Sequence, residues 1–198
     1  PIETLTVEVD VTEVLAAAAA ARAPAGRQAL PVGLAAVVVA VAAELLPAHP
    51  PLNGAWGGDV ALLRRRVHIA VGETRPEGLR WTVVADAGDL TARGVARALA
   101  GGAGAGVEAT FAVVSLTEGA GWQSAAPPLP GTAAALSVGA PARRLACWGD
   151  GVAVRALATM TLSYDARLVD QGRAARFLRA LRKRLEGPQA RAVAARVL

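Results

Sequence analysis

Asp165, Arg167 and Asp170 place three charges within the six-residue stretch Asp165-Ala166-Arg167-Leu168-Val169-Asp170. Two carboxylates and a guanidinium at that spacing can hold one another and orient a reacting group. Such charges are commoner where a turn faces a cleft than in a plain connection. What the stretch lacks is a proton acceptor, because its second position is Ala166 and alanine does no acid or base work. The two histidines lie elsewhere. His49 sits between Ala48 and Pro50 in a proline-rich connector and reads as a structural or surface residue. His68 falls on a strand with no second metal ligand nearby in sequence, so no metal site is expected.

The corner needs two elements to position it. Met160, Leu162 and Tyr164 alternate with polar neighbours, as a half-buried strand requires. Behind the corner, Phe177, Leu178, Leu181 and Leu185 recur at helical spacing. Further strands are expected at residues 5–11, 67–71, 81–84, 109–116, 132–138 and 152–163. Helices are expected after Asp10 or Thr12, over residues 28–46, 90–100 and 171–186, and again over 189–197. Strands and helices interleave with hairpin-like connections, which fits a mixed sheet with helices on one face.

Bulk properties narrow the partners. The chain is 54% hydrophobic and 19% charged, so its 198 residues can bury a proper core as one domain. The +5 charge comes from arginine, densest at Arg64-Arg65-Arg66 and along residues 179–184, while aromatics are 4% of the chain. Without aromatic platforms or a reader motif, no nucleic-acid partner is expected. The arginine run at 64–66 reads as a solvated edge, or as a rim for a phosphorylated small ligand. The glycine-alanine tract at residues 101–106 lacks the Lys and Ser/Thr of a phosphate loop. Residues 30–46 are the most membrane-like, but Glu44, Pro31 and Pro47 shorten the apolar run, so a buried helix and no membrane partner are expected. Cys147 is the single cysteine, which rules out an internal disulfide and fits a reducing, cytoplasmic setting. No charged-then-apolar leader opens the chain. It begins at Pro1 and directly in a strand, so further native residues are expected ahead of it.

The corner and its flanks resemble the dihydrolipoamide acyltransferases, core components of 2-oxo acid dehydrogenase complexes, whose catalytic domain is shared with chloramphenicol acetyltransferase. Their signature reads L-S-x-D-H-R-x-x-D-G, followed by A-A-R-F-L. Here it stands as Leu162-Ser163-Tyr164-Asp165-Ala166-Arg167-Leu168-Val169-Asp170-Gln171, then Ala174-Ala175-Arg176-Phe177-Leu178. Pro50-Pro51-Leu52-Asn53-Gly54-Ala55-Trp56 is similar to the family's H-P-x-L-N-x-x-W segment. Glu73-Thr74-Arg75-Pro76-Glu77-Gly78-Leu79 resembles its T-P-x-G-L turn, and Thr110-Phe111 with the run to Leu116 resembles its T-F-T-I-S-N-L strand.

The resemblance implies a chloramphenicol-acetyltransferase-like two-layer α/β sandwich. It also implies a homotrimer with active sites between subunits, and no covalently bound cofactor. Acetyl-CoA or a lipoyl thioester would be the acyl donor and a small-molecule hydroxyl, of the kind found in tetronate-type antibiotic biosynthesis, the acceptor. A non-catalytic oligomeric core of a dehydrogenase complex is the alternative. In the family the signature histidine is the general base, and its position here is Ala166. Asp170 is implied to orient groups at the site, and Asp165 to anchor the turn through an arginine, with Arg167 adjacent. The oxyanion-stabilising hydroxyl falls on Val114 or, with a one-residue shift, on Ser115, with Thr117 as the fallback. The glycine after the second aspartate is Gln171. Either the histidine has been exchanged to trap a complex, or this is a natural member that keeps a scaffold or ligand-binding role.

Overall fold

In the computed structural model the described residues are 1–22, 33–75, 78–102, 104, 106–116, 122–186 and 190. The expected mixed sheet with helices packed on one face is present. β1 (Ile2–Asp10) is followed by α1 (Thr12–Arg22) and α2 (Leu34–Leu45). A short hairpin, β2 (Gly54–Gly57) and β3 (Val60–Leu63), leads into a longer one, β4 (Ile69–Arg75) and β5 (Gly78–Val84). Then come α3 (Ala92–Gly101), β6 (Phe111–Ser115), β7 (Ala134–Val138), β8 (Ala142–Trp148), β9 (Gly151–Asp165) and α4 (Gln171–Leu185).

The main sheet runs β1-β9-β7-β6-β4-β5, with β8 also paired to β9. β4, β6 and β7 are parallel neighbours, and the remaining pairs are antiparallel. Side-chain alternation divides the sheet into two unlike faces. Ile69, Val71, Phe111, Val113, Leu136, Val138, Met160, Leu162 and Tyr164 point into the main core, where Val37, Val38, Val41 of α2 and Phe177, Leu181 of α4 meet them. Most of these side chains are fully buried, and each contributes on the order of 2 kcal/mol of apolar burial. The opposite face carries small and polar residues: Ala70, Ala112 and Ala135 form a minor cluster, beside Ser137, Thr161 and Ser163.

The helices differ slightly from expectation. α2 starts at Leu34 with Gly33 as its N-cap, later than the sequence pattern placed it, and it is buried nearly all round as its composition requires. The helix expected over residues 189–197 lies outside the described residues, apart from buried Ala190. Strands β2, β3 and β8 were not expected. β2 and β3 are four residues each, and every residue of β3 is exposed, so no inward-outward contrast marks them.

β9 is the longest strand, with 15 residues, and it carries the corner. Its far half pairs with β8 as a hairpin whose one face bears exposed Leu145, Val152 and Val154. Between β7 and β8 the register against β9 slips by one, from Val138↔Met160 to Ala142↔Leu157, which marks a bulge. Gly139 sits there because a Cβ would lie 2.6 Å from the Trp122 carbonyl oxygen and 3.0 Å from that of Thr159. Both obstacles are backbone. Gly139→Ala is therefore expected to cost about 1–3 kcal/mol, as an overpacked site does, read as a lowered urea midpoint.

Candidate active site

β9 delivers Asp165 to one end of the sheet, where its amide donates to the Ala133 carbonyl at 2.8 Å. The Asp165 carbonyl accepts from Leu168 and Val169, both at 3.0 Å, and so closes the turn. Its buried carboxylate takes the Arg167 amide at 3.0 Å and the guanidinium in a fork, Nε at 2.9 Å and Nη2 at 2.5 Å. The planar guanidinium also lies over the Trp56 ring, 5.2 Å from its centroid. Ala166 between them donates its amide to the Pro1 carbonyl at 3.0 Å and is half-buried. Asp170 then caps α4, its Oδ1 accepting the Arg173 amide at 2.8 Å and its Oδ2 lying 3.3 Å from Arg173 Nε. Position 166 is thus held from both sides by bonds that do not involve its own side chain.

The electrostatics follow from these contacts. Hydrogen bonds from the Arg167 side chain hold the Asp165 carboxyl below its ordinary value, against the opposing effect of burial. Asp170 is lowered first by the Arg173 amide. The Tyr164 hydroxyl donates to Glu3 Oε2 at 3.0 Å, and burial, then that bond, pushes its pKa up. Because Asp165 ionises more easily folded than unfolded, its contribution to stability is complete above the unfolded carboxylate range, about pH 4. It is lost as pH falls through the lower folded value. Asp165→Asn is expected to flatten the acid limb of a thermal-melting profile while lowering stability at neutral pH. An unchanged slope of melting temperature below pH 4 would show that the pair does not couple to folding.

The hydroxyl candidates lie elsewhere. Ser115 and Val114 are neighbours on β6, and consecutive strand residues point to opposite faces. Val114 points with Ala112 to the small-residue face, beside Gly72 and Ser137 in register. Ser115 points with Phe111 and Val113 toward the helix layer. A one-residue shift therefore changes the face, and Ser115 does not stand in for the Val114 position. Thr117 lies outside the described residues. Pairing across β7 sets Ser115 level with Met160, six residues short of Ala166, or about 20 Å at the rise of a strand. One chain does not bring the turn and the β6 hydroxyl together.

The two histidines are engaged in contacts of their own. His49 stands edge-on to Phe177, centroids 5.5 Å apart, and burial followed by the Arg176 charge lowers its pKa. His68 Nδ1 accepts the Asp86 amide at 2.9 Å. Among the described residues no group of three or more His, Cys, Asp or Glu could hold a metal ion, and no helix is long and apolar enough to cross a membrane. Two residues went unassigned in the sequence, Trp56 under Arg167 at the turn and Asn53, which stands against the segment carrying Arg64 and Arg66. Asn53 is buried, accepts from Thr110 Oγ1 at 2.6 Å and donates to the Arg64 and Arg66 carbonyls. Both belong to the quoted segment ending in Trp56, which was their only signal.

With this geometry in place, residues 1–193 match the sequence profile of the 2-oxoacid dehydrogenases acyltransferase (catalytic domain). The chain belongs to that acyltransferase family. A dihydrolipoyllysine-residue acetyltransferase component of the pyruvate dehydrogenase complex from Mycobacterium bovis is 28% identical over 201 residues. That match covers 92% of this chain and 36% of the relative, so the chain spans about a third of the curated relatives it matches. The dihydrolipoamide acetyltransferase of Azotobacter vinelandii superposes with a TM-score of 0.84 at 25% identity, covering 98% of this chain and 84% of that one. Its structure was studied for the role of a serine, a histidine and, four residues on, an asparagine in the catalytic mechanism. A chloramphenicol acetyltransferase shares the fold at 14% identity, with a TM-score of 0.64 over 94% of this chain and 89% of its own. The acyltransferase family therefore accounts for the sheet, the helix layer and the corner together.

Proposed function

We propose that this acyltransferase-family chain is built to move a short acyl group, acetyl in the simplest case, from a CoA or lipoyl thioester to a small-molecule hydroxyl. We propose further that Ala166 leaves transfer impaired. The carrying observation is a turn built around an alanine: Asp165, Arg167 and Asp170 are all bonded, and Ala166 between them offers no side chain that could take a proton. In the Azotobacter enzyme the histidine and asparagine stand four residues apart, as Ala166 and Asp170 do here. Specialised-metabolite acetylation, in the cytoplasm, is the setting this reading favours. Restoring Ala166→His and following acetyl-CoA consumption with alcohol acceptors tests it.

The same reading makes the protein an oligomer, a homotrimer in its simplest form. Some 20 Å separates Ala166 from the β6 end within one chain, whereas proton transfer needs contact at about 3 Å. A second protomer offering its β6 end to the first protomer's turn closes that gap. The exposed apolar face of the β8–β9 hairpin, with Leu145, Val152 and Val154, supports association.

A second reading, a non-catalytic core that organises other subunits, is favoured by Val114. The residue on the small-residue face of β6 is apolar, so a hydroxyl is missing there as well as a base. That reading predicts no turnover from Ala166→His/Val114→Ser, and co-purification with partner dehydrogenase subunits.

A further inference from the structure

The sheet end that carries the Asp165 turn also carries Arg64, Arg65 and Arg66, on the segment between β3 and β4. They line a cleft of about 350 Å3 together with His68, Glu108 and Thr110. Its walls are fixed from behind. Asn53 Nδ2 donates to the carbonyls of Arg64 and Arg66, both at 2.9 Å, and Thr110 Oγ1 accepts the His68 amide at 3.0 Å. Arg66 Nη1 donates to Asp86 at 2.7 Å. Asp86 itself has φ 47°, a left-handed conformation uncommon outside glycine, and in it the Asp86 amide donates to His68 Nδ1 at 2.9 Å. With Nδ1 accepting, the neutral ring carries its proton on Nε2.

Charge favours an anion. Four charged side chains line the cleft, Arg64, Arg65, Arg66 and Glu108, and Asp86 stands against Arg66. Asp86 is engaged by Arg66. Glu108 reaches Arg64 only at 3.9 Å with a side chain 90% exposed, so it can swing away. Arg65 is exposed and has no carboxylate partner among the described residues. Guanidinium forks match the oxygens of a phosphate better than those of any neutral group.

We propose that this cleft binds the phosphate monoester or diphosphate group of a small-molecule ligand. Its place in the sheet gives that ligand a direction. Ile69 beside His68 pairs with Phe111, Ala112 with Ala135, and Ala134 with Tyr164, so three strand spacings, about 14 Å, separate the cleft from the turn. An extended ligand anchored here by its phosphate reaches the turn with its other end. The inference concerns binding and does not need the chain to turn over, so it stands or falls separately from acyl transfer.

Calorimetric titration of the whole chain with inorganic pyrophosphate, with CoA and with CoA lacking its 3′-phosphate tests it. Arg65→Ala is expected to weaken pyrophosphate binding about ten-fold, the loss of one charge-assisted contact. Arg64→Ala/Arg65→Ala weakens it further, and Glu108→Gln tightens it several-fold. Raising salt weakens it in the parent chain. If CoA loses affinity with Arg65→Ala but its 3′-dephospho form does not, the acyl carrier's 3′-phosphate is the source. If pyrophosphate alone responds, the source is another phosphate ester or free phosphate. The proposal is overturned if the folded double variant binds all three probes as the parent does, or if no probe saturates the parent chain in the millimolar range.

Discussion

Histidine at position 166 is expected to raise thioester consumption by about 100- to 10,000-fold over the parent chain, the range that a positioned general base contributes. The expectation rests on what the turn already holds. Ala166 is bonded through its amide, to the Pro1 carbonyl, and the residue is half-buried at the protein surface. An imidazole there displaces no buried partner, and the Asp165–Arg167 fork and the Asp170 cap stay as they are. The rate should rise with pH through the imidazole pKa, because only the neutral ring accepts a proton. Val114→Ser added to it supplies a donor for a developing oxyanion, an interaction of about 100-fold where geometry is right. The measurement is release of free CoA thiol with a panel of alcohols and dihydrolipoamide. If neither variant exceeds the parent chain while both fold and assemble as it does, the transfer reading is wrong and the core reading stands.

Fold and corner were legible in the sequence for a physical reason. Met160, Leu162 and Tyr164 sit at period two against a fully buried face, and Phe177, Leu178, Leu181 and Leu185 at helical period against the same core. Burial on one side only is what writes a pattern into a chain. β8 wrote none, since Leu145 and Cys147 face solvent where an inward position would be apolar and covered. The choice between Val114 and Ser115 was closed to sequence reading for a different reason. The two are equivalent until pairing with β4 and β7 assigns each a face. Position 166 was the reverse case: the spacing of Asp165, Arg167 and Asp170 matched the quoted signature, so the alanine among them stood out in the sequence alone. Long-range polar contacts left no trace at all. Asp10 and Arg155, 145 residues apart, are bonded at 2.6 Å, and nothing near either one announces the other.

That pair supports the largest stability effect expected in the molecule: Arg155→Ala should cost about 3–5 kcal/mol, as breaking a buried ion pair from one side does. Arg155 is 9% exposed on β9, where the β8–β9 hairpin leaves the sheet. Its Nε donates to Asp10 Oδ2, and its Nη2 lies 3.7 Å from Glu13 at the start of α1. Asp10 in turn accepts from the Thr12 amide at 3.0 Å, and the Asp10 amide donates to Glu186 at the end of α4. Glu186 also holds Arg182 at 2.9 Å. One guanidinium therefore ties the hairpin root to β1 and α1, with α4 joined through Asp10. Removing it leaves the Asp10 carboxylate partly buried with its cation gone. Burial alone raises the Asp10 pKa, while bonds from Thr12 and Arg155 outweigh it and hold the carboxyl below its ordinary value. The parent chain thus loses this contribution as pH falls through the depressed folded value, and Arg155→Ala should show a shallower acid limb along with its lower urea midpoint. Arg155→Met keeps the aliphatic stem and so separates packing from charge. It is expected to recover only the smaller part of the loss. Full recovery by methionine would show that the stem, and not the ion pair, holds the hairpin to the sheet.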